Sequence, residues 1–427
     1  MQPEGFKLMP QTRRIFLRNG AFALVGTAAV PAFLTRSLEA QTLAARRQGK
    51  VLVAIFQRGA VDGLSMVVPY REKNYYRLRP DIGIKEEQLI VLDDRFGLHP
   101  ALKGLKPLWD GGHLAAVHAC GSPDPTRSHF DAQDFMESGT PGDRATTTGW
   151  LNRALTAQDA AAHNLHHSAL RAVAMGAELP LTMAGPVPAV AIRNIARFDV
   201  GGPSPAGQAM SADFRAMYDD SSNSLLHGTA QDAFAAVRAL KGIDPGQYTP
   251  ARGAKYPETP FGRSMKQIAQ LVKANLGVEA AFADIGGWDT HQHQGGAEGQ
   301  LAERMRDFGD GLNAFWMDMG DSAENVVVVT MSEFGRTVHQ NGTLGTDHGH
   351  ANVMFMLGGP VQGGKVYGRW PGLDDHQLYQ NRDLAITTDF RQVLGEATYH
   401  TLGAGNLSTV FPGLNLQPSQ FLNILKA

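Results

Sequence analysis

Two short runs bring carboxylates and imidazoles together. Asp289, His291 and His293 stand in Gly286-Gly287-Trp288-Asp289-Thr290-His291-Gln292-His293, and Asp347, His348 and His350 in Gly345-Thr346-Asp347-His348-Gly349-His350-Ala351-Asn352. Mixed oxygen and nitrogen donors suit zinc, manganese or iron, whereas magnesium and calcium prefer oxygen alone. In an extended loop Asp289 points to the same side as His291, and on a helical turn to the same side as His293, so either imidazole is a candidate ligand. Asp347 and His348 are adjacent, which needs a bent backbone, and Gly345 and Gly349 permit one. His350 suits an outer position, bonded to a ligand or to a bound oxyanion.

Three further segments carry reactive groups. In Ser332-Glu333-Phe334-Gly335-Arg336-Thr337, Glu333 is a candidate ligand or general base. Arg336 offers a fork of donors to an anion, or the two residues form an ion pair that braces the loop. Ser128, between Arg127 and His129, opens a predicted helix. Backbone N–H groups there favour an anion, and a metal-activated hydroxyl at that place can attack a phosphoryl or sulfuryl centre. The plainer role for Ser128 is that of an N-cap. Asp62 tips the turn Gln57-Arg58-Gly59-Ala60-Val61-Asp62-Gly63.

These groups must be carried by regular elements. Apolar and β-branched runs predict strands at 50–56, 114–120, 278–285, 326–330 and 353–357. The run 326–330 has almost no polar alternation, as a parallel strand buried on both faces requires, and 353–357 is read the same way. Helices are predicted at 102–109, 128–138, 261–277, 300–319 and 389–402, the third with Met265, Ile268, Leu271, Val272 and Leu276 on one face. Strands alternating with helices predict a doubly wound, mostly parallel α/β sheet with helices on both faces. Sites on such sheets gather beyond the carboxyl ends of strands, where Asp62, Asp289, Glu333 and Asp347 all fall. Residues 150 to about 260 have weaker apolar runs and predict a cap or insertion over the sheet, with a helix at 229–240.

Length, composition and charge narrow the class. The chain has 427 residues, 43% hydrophobic and 19% charged, enough for a full core. A net charge of −2 presents no basic face, so nucleic acid is not an expected partner. The single cysteine, Cys120, excludes an internal disulfide and a cysteine metal cage, and its apolar strand makes it a core residue. Near the start, Thr12-Arg13-Arg14-Ile15-Phe16-Leu17-Arg18 precedes the apolar stretch 21–34, with a cleavage site predicted after Ala40. The pattern resembles a twin-arginine export signal over residues 1–40. The stretch is too short for a stable membrane span. The mature protein, 41–427, is then expected in the periplasm, delivered folded by the twin-arginine machinery.

Thr346-Asp347-His348-Gly349-His350-Ala351 resembles the Asp-His-x-His-Ala run of alkaline phosphatases, and Asp289 with His293 resembles their other metal pair. Asp62 matches the position of their first Asp ligand, and Ser128 is placed like their nucleophile. A closer similarity, over about 50–425, is to the exported bacterial family known as domain of unknown function 1501. It is carried by the ordered motifs 58–64, 127–134, 286–291, 332–337 and 345–350. The resemblance implies an alkaline-phosphatase-like fold and one or two divalent ions held by Asp62, Asp289, His291 or His293, Glu333, Asp347 and His348. Ser128 would be the nucleophile, and Arg336 or His350 would contact an anionic phosphate or sulfate ester. One departure stands out: where many members of the superfamily have Ser-Asp-His-Gly, this chain has Ser332-Glu333-Phe334-Gly335, and Phe334 cannot bind metal, unless Asp347-His348 is itself that metal pair. The alternative is therefore a non-catalytic periplasmic protein with a degenerate metal site, binding a polysaccharide or a partner protein.

Overall fold

Runs such as Val51-Leu52-Val53-Ala54-Ile55-Phe56 have no polar face, and they form the middle of one sheet with helices packed on both sides. The structure is a computed structural model; it describes residues 14–18, 21–25, 49–161, 168–197, 236, 239–240 and 245–426. The main sheet has nine strands. In chain order they are β1 (Val51–Arg58), β2 (Leu114–Gly121), β3 (Ala172–Ala174), β4 (Val190–Ala191), β5 (Ala280–Gly286), β6 (Val326–Met331), β7 (Asn352–Gly358), β8 (Lys365–Tyr367) and β9 (Thr388–Asp389). The spatial order is β8-β2-β7-β6-β1-β5-β3-β4, with β9 beside β2.

The sheet is mostly parallel, as predicted, with one exception. β7 runs antiparallel to both β6 and β2. The sequence predicts a parallel strand at 353–357, because burial on both faces leaves the same apolar run in either direction. The reversal matters for the site: the loop entering β7 lies at the same edge as the loops leaving β1, β2, β5 and β6.

The longer helices among the described residues are α1 (His129–Ser138), α2 (Trp150–Ala161), α3 (Pro260–Lys273), α4 (Gln300–Met319) and α5 (Phe390–Leu402). Met265, Ile268 and Leu271 of α3 and Met305, Phe308 and Leu312 of α4 cover Val53, Ile55, Val328 and Phe355 on one face. On the other, Leu151 and Leu155 of α2 and Val393, Leu394 and Ala397 of α5 cover Leu52, Ala54, Val329 and Met356. Each of the fully buried Val, Leu, Ile, Phe and Met side chains contributes about 1.5–3 kcal/mol.

Part of the stretch predicted as a cap belongs to the sheet, since β3 and β4 extend its edge beside β5. The helix predicted at 229–240 lies almost wholly outside the described residues. Of the predicted export segment, Arg14–Arg18 pairs antiparallel with Ala21–Val25, and the remainder lies outside the described residues. No helix among the described residues is long and apolar enough to cross a membrane.

Candidate metal centre

Four loops meet at the carboxyl edge of the sheet. The loop leaving β2 leads into α1 and supplies His129. The turn leaving β5 supplies Asp289 and His291, anchored by the buried indole of Trp288, whose Nε1 donates to Ile285 O at 2.9 Å. The loop leaving β6 supplies Glu333, and the loop entering β7 supplies Asp347 and His348. Gly345 and Gly349 make the meeting possible through close approach and not through unusual torsions. A Cβ on Gly345 would stand 2.4 Å from His291 C, and one on Gly349 would stand 2.3 Å from Arg336 C.

The imidazoles converge on Nε2 of His348. His129 Nε2 and His291 Nε2 each lie 3.0 Å from it. Asp289 Oδ1 is 3.2 Å from the same atom and 3.1 Å from His291 Nε2, while Asp289 Oδ2 is 3.4 Å from His129 Nε2. Every other ring nitrogen faces a group that can only accept. His129 Nδ1 is 2.8 Å from Glu333 Oε1, His291 Nδ1 is 2.8 Å from Asp347 Oδ1, and His348 Nδ1 is 2.9 Å from Arg127 O. Each Nδ1 therefore carries the hydrogen, and in the neutral rings each Nε2 presents a bare lone pair. Lone pairs 3.0 Å apart repel unless something positive stands between them. A proton bridges one such contact; a divalent cation can serve more than one. His129, Asp289 and His348 have donor atoms within 4.8 Å of one another, as a shared ion requires.

The surrounding charges keep the carboxylates ionised. Burial alone would raise the pKa of Asp289, but the hydrogen bond and charge of Arg336 outweigh it and hold the pKa below the usual range. Glu333 is likewise lowered against its burial by His129, Gln133 and backbone N–H groups, and Asp347 by His291 and Asn341. The facing imidazoles shift in opposite senses. The hydrogen bond to Glu333 raises His129, while burial, helped by the charge of His129, lowers His348.

Of the residues predicted for the site, Asp289, His291 and His348 come together. His293 does not: it is exposed, with φ +47°, and its backbone bonds to Thr343. Glu333 and Asp347 stand behind the imidazoles as their acceptors. Gln133 Nε2 and Gly59 N also donate to Glu333 Oε1, at 2.9 and 2.8 Å. Asp62 is placed elsewhere. Its carboxylate takes Arg79 at 2.7 and 3.0 Å, Ser65 Oγ at 2.7 Å and Gln294 Nε2 at 2.7 Å, leaving it inside a buried ion pair. Arg336 is buried and donates to Asp289 Oδ1, Thr346 Oγ1 and Thr346 O, so its donors point at the protein. His350 stacks on Tyr379 with centroids 4.2 Å apart, and burial lowers its pKa to about 4. Ser128 precedes His129, and its side chain does not cap α1. Phe334 packs its ring 4.9 Å from that of His129 and 5.0 Å from that of His348, where it supports the two imidazoles.

Sequence pattern does not single out His129, which it places only as the residue after the candidate nucleophile. The available signal was His129 with Gln133 one helical turn later, two polar side chains on one face of a helix start.

The chain belongs to the family described as "Protein of unknown function (DUF1501)", which it matches over residues 49–404. No curated protein sequence matches it. Similar solved structures include sulfatases, alkaline phosphatases and a lipoteichoic acid synthase, all at low identity. The PsFucS1 sulfatase from Pseudoalteromonas sp. is 12% identical with a TM-score of 0.33, covering 91% of this chain and 72% of that one. The lipoteichoic acid synthase LtaP from Listeria monocytogenes is 10% identical with a TM-score of 0.31, covering 74% and 66%. An alkaline phosphatase from the Antarctic bacterium TAB5 is 10% identical with a TM-score of 0.27, covering 74% and 93%.

Proposed function

We propose that this chain is an exported, metal-dependent hydrolase of phosphate or sulfate esters, with one divalent transition-metal ion held by His129, His348 and Asp289 and with His291 beside them. One observation carries the metal assignment: His129 and His348 commit Nδ1–H to fixed acceptors and bring their Nε2 atoms together beside the Asp289 carboxylate, with His291 Nε2 against His348 as well. Outer acceptors of this kind accompany metal-binding histidines and fix their tautomer. Imidazole with carboxylate suits zinc, iron or manganese. When bound, such an ion supplies Lewis acidity at the ester.

The chain's own groups do the remainder. Ser128 offers a hydroxyl not used in capping α1, one residue from His129, and is the proposed nucleophile. The first N–H groups of α1 favour the anionic group. Arg336 and His350 contribute indirectly, Arg336 by fixing Asp289 and His350 by packing on Tyr379. Delivery to the periplasm by the twin-arginine route is part of this reading, on the strength of residues 12–18 and the apolar stretch 21–34. The test is hydrolysis of generic aryl phosphates and sulfates by metal-loaded protein, with Ser128→Ala as the inactive control. Activity that survives in that variant contradicts the nucleophile. A fully loaded protein that cleaves neither ester supports the second reading, a non-catalytic binding protein. That reading is favoured by Arg336 and Phe334, which are turned into the protein where an active site would offer contacts to a substrate.

A further inference from the structure

Gln294 stands outside every ligand set named above, yet its buried side chain ties the ligand-bearing loops together. Its Oε1 accepts from Thr290 Oγ1 at 2.9 Å and from Thr346 Oγ1 at 2.7 Å. Thr290 lies between Asp289 and His291; Thr346 precedes Asp347 and His348. One amide oxygen thus joins the turn leaving β5 to the loop entering β7. Thr346 Oγ1 also accepts from Arg336 Nε at 3.2 Å, and the same guanidinium donates to Asp289 Oδ1.

The orientation of the amide is fixed from behind. Gln294 Nε2 donates to Asp62 Oδ2 at 2.7 Å, and that carboxylate is held by both terminal nitrogens of Arg79. Turned over, the amide would set its oxygen against the Asp62 carboxylate, two acceptors with no proton between them. The buried Asp62–Arg79 pair therefore keeps Gln294 Oε1 aimed at the two threonines.

We propose that Gln294 is a positioning residue for the metal centre: a buried amide clamp that sets the separation of Asp289 and His291 from His348, with its orientation fixed by Asp62 and Arg79. The inference rests on the metal reading of the site. Backbone bonds from Thr346 N to Thr290 O and from Gln294 N to Leu344 O also join the loops, so loss of the clamp loosens the centre without dispersing it.

The test uses the full chain, titrated with zinc and with cobalt(II), and the visible spectrum of the cobalt form reports ligand geometry. Folding is checked by circular dichroism in chelator. Gln294→Met keeps the length and removes the amide; it should weaken metal binding about 10–100-fold, as loss of outer partners does, and alter the cobalt spectrum. The Thr290→Val, Thr346→Val double variant should show the same loss, with little added by Gln294→Met, because the three groups act as a unit. Thr346→Ser keeps the hydroxyl and should recover what Thr346→Val loses. If Gln294→Met does not fold, the threonine variants decide. Wild-type affinity with an unchanged cobalt spectrum in the folded variants, or independent and additive losses, overturns the clamp. A wild-type chain that takes up neither ion overturns the metal reading itself, a result distinct from a loaded wild type with an indifferent variant.

Discussion

At the scale of single residues, the centre depends on which nitrogen of each imidazole is already engaged. Glu333, Asp347 and Arg127 O engage the Nδ1 atoms, and the Nε2 atoms are left to face one another. Asp62 shows the contrasting case of an acid consumed by a structural pair. Asp62→Ala leaves the Arg79 guanidinium buried without its carboxylate, and should cost about 3–5 kcal/mol in urea unfolding, measured in chelator so that metal does not contribute. An unfolding free energy within about 1 kcal/mol of wild type would show that the pair is not structural. Asp289, His291 and His348 were legible in the sequence because acids and imidazoles crowd the ends of unmistakable strands. The division of Asp289 from Asp347, of ligand from supporting acceptor, was not legible. Both are exposed-loop acids beside histidines, and only the direction of each ring separates them. The pairing of Asp62 with Arg79 was hidden for a similar reason, since spacing along the chain does not report a bidentate contact.

At the scale of elements, the reversed strand β7 brings His348 to the edge where the parallel strands end. The loop entering it packs backbone to backbone against the loop leaving β6: Gly335 N donates to His350 O, and Gly349 N donates to Gly335 O, both at 2.8 Å. A methyl group at Gly349 would meet Arg336 backbone atoms at 2.3–2.4 Å, which cannot move as a flexible side chain would. Gly349→Ala should therefore lower stability by about 1–3 kcal/mol and weaken metal binding together, as thermal melting and zinc titration would show. A stable variant with undiminished zinc affinity would mean that this packing does not position His348. Most strand and helix positions were readable, because apolar runs of five to eight residues and the amphipathic stretch 261–277 admit few alternatives, although that helix ends at Lys273 and the helix predicted at 102–109 is a 3-10 turn over Pro100–Leu105 followed by a short α-helix over Lys106–Asp110. The direction of β7 was not readable, since burial on both faces erases the alternation that separates strand types. Nor was membership of β3 and β4 in the sheet, as runs of three and two residues are too short to carry a pattern.

At the scale of the whole molecule, the sheet core carries its own response to acid. His118 on β2 is held neutral: its Nε2 is 2.8 Å from Val67 O, which only accepts, and its Nδ1 takes the Ala119 N–H at 2.8 Å. Burial pushes its pKa down to about 4. The unfolded chain, with an ordinary histidine near 6.5, takes up this proton first. Stability from this group is therefore complete above about pH 6.5 and is lost as pH falls toward about 4, amounting to about 3 kcal/mol. Urea unfolding in chelator at pH 7.5 and 4.5 should show that loss, and His118→Gln should flatten it. A profile unchanged by the substitution would rule His118 out as its source. The central claim concerns the edge of the sheet, and metal content tests it most directly. Full-length protein purified without added chelator should carry about one zinc, iron or manganese ion per chain, and the His348→Ala variant, still folded, should carry essentially none. Folded wild-type protein that arrives without metal and takes up none of these ions when they are supplied would contradict the account.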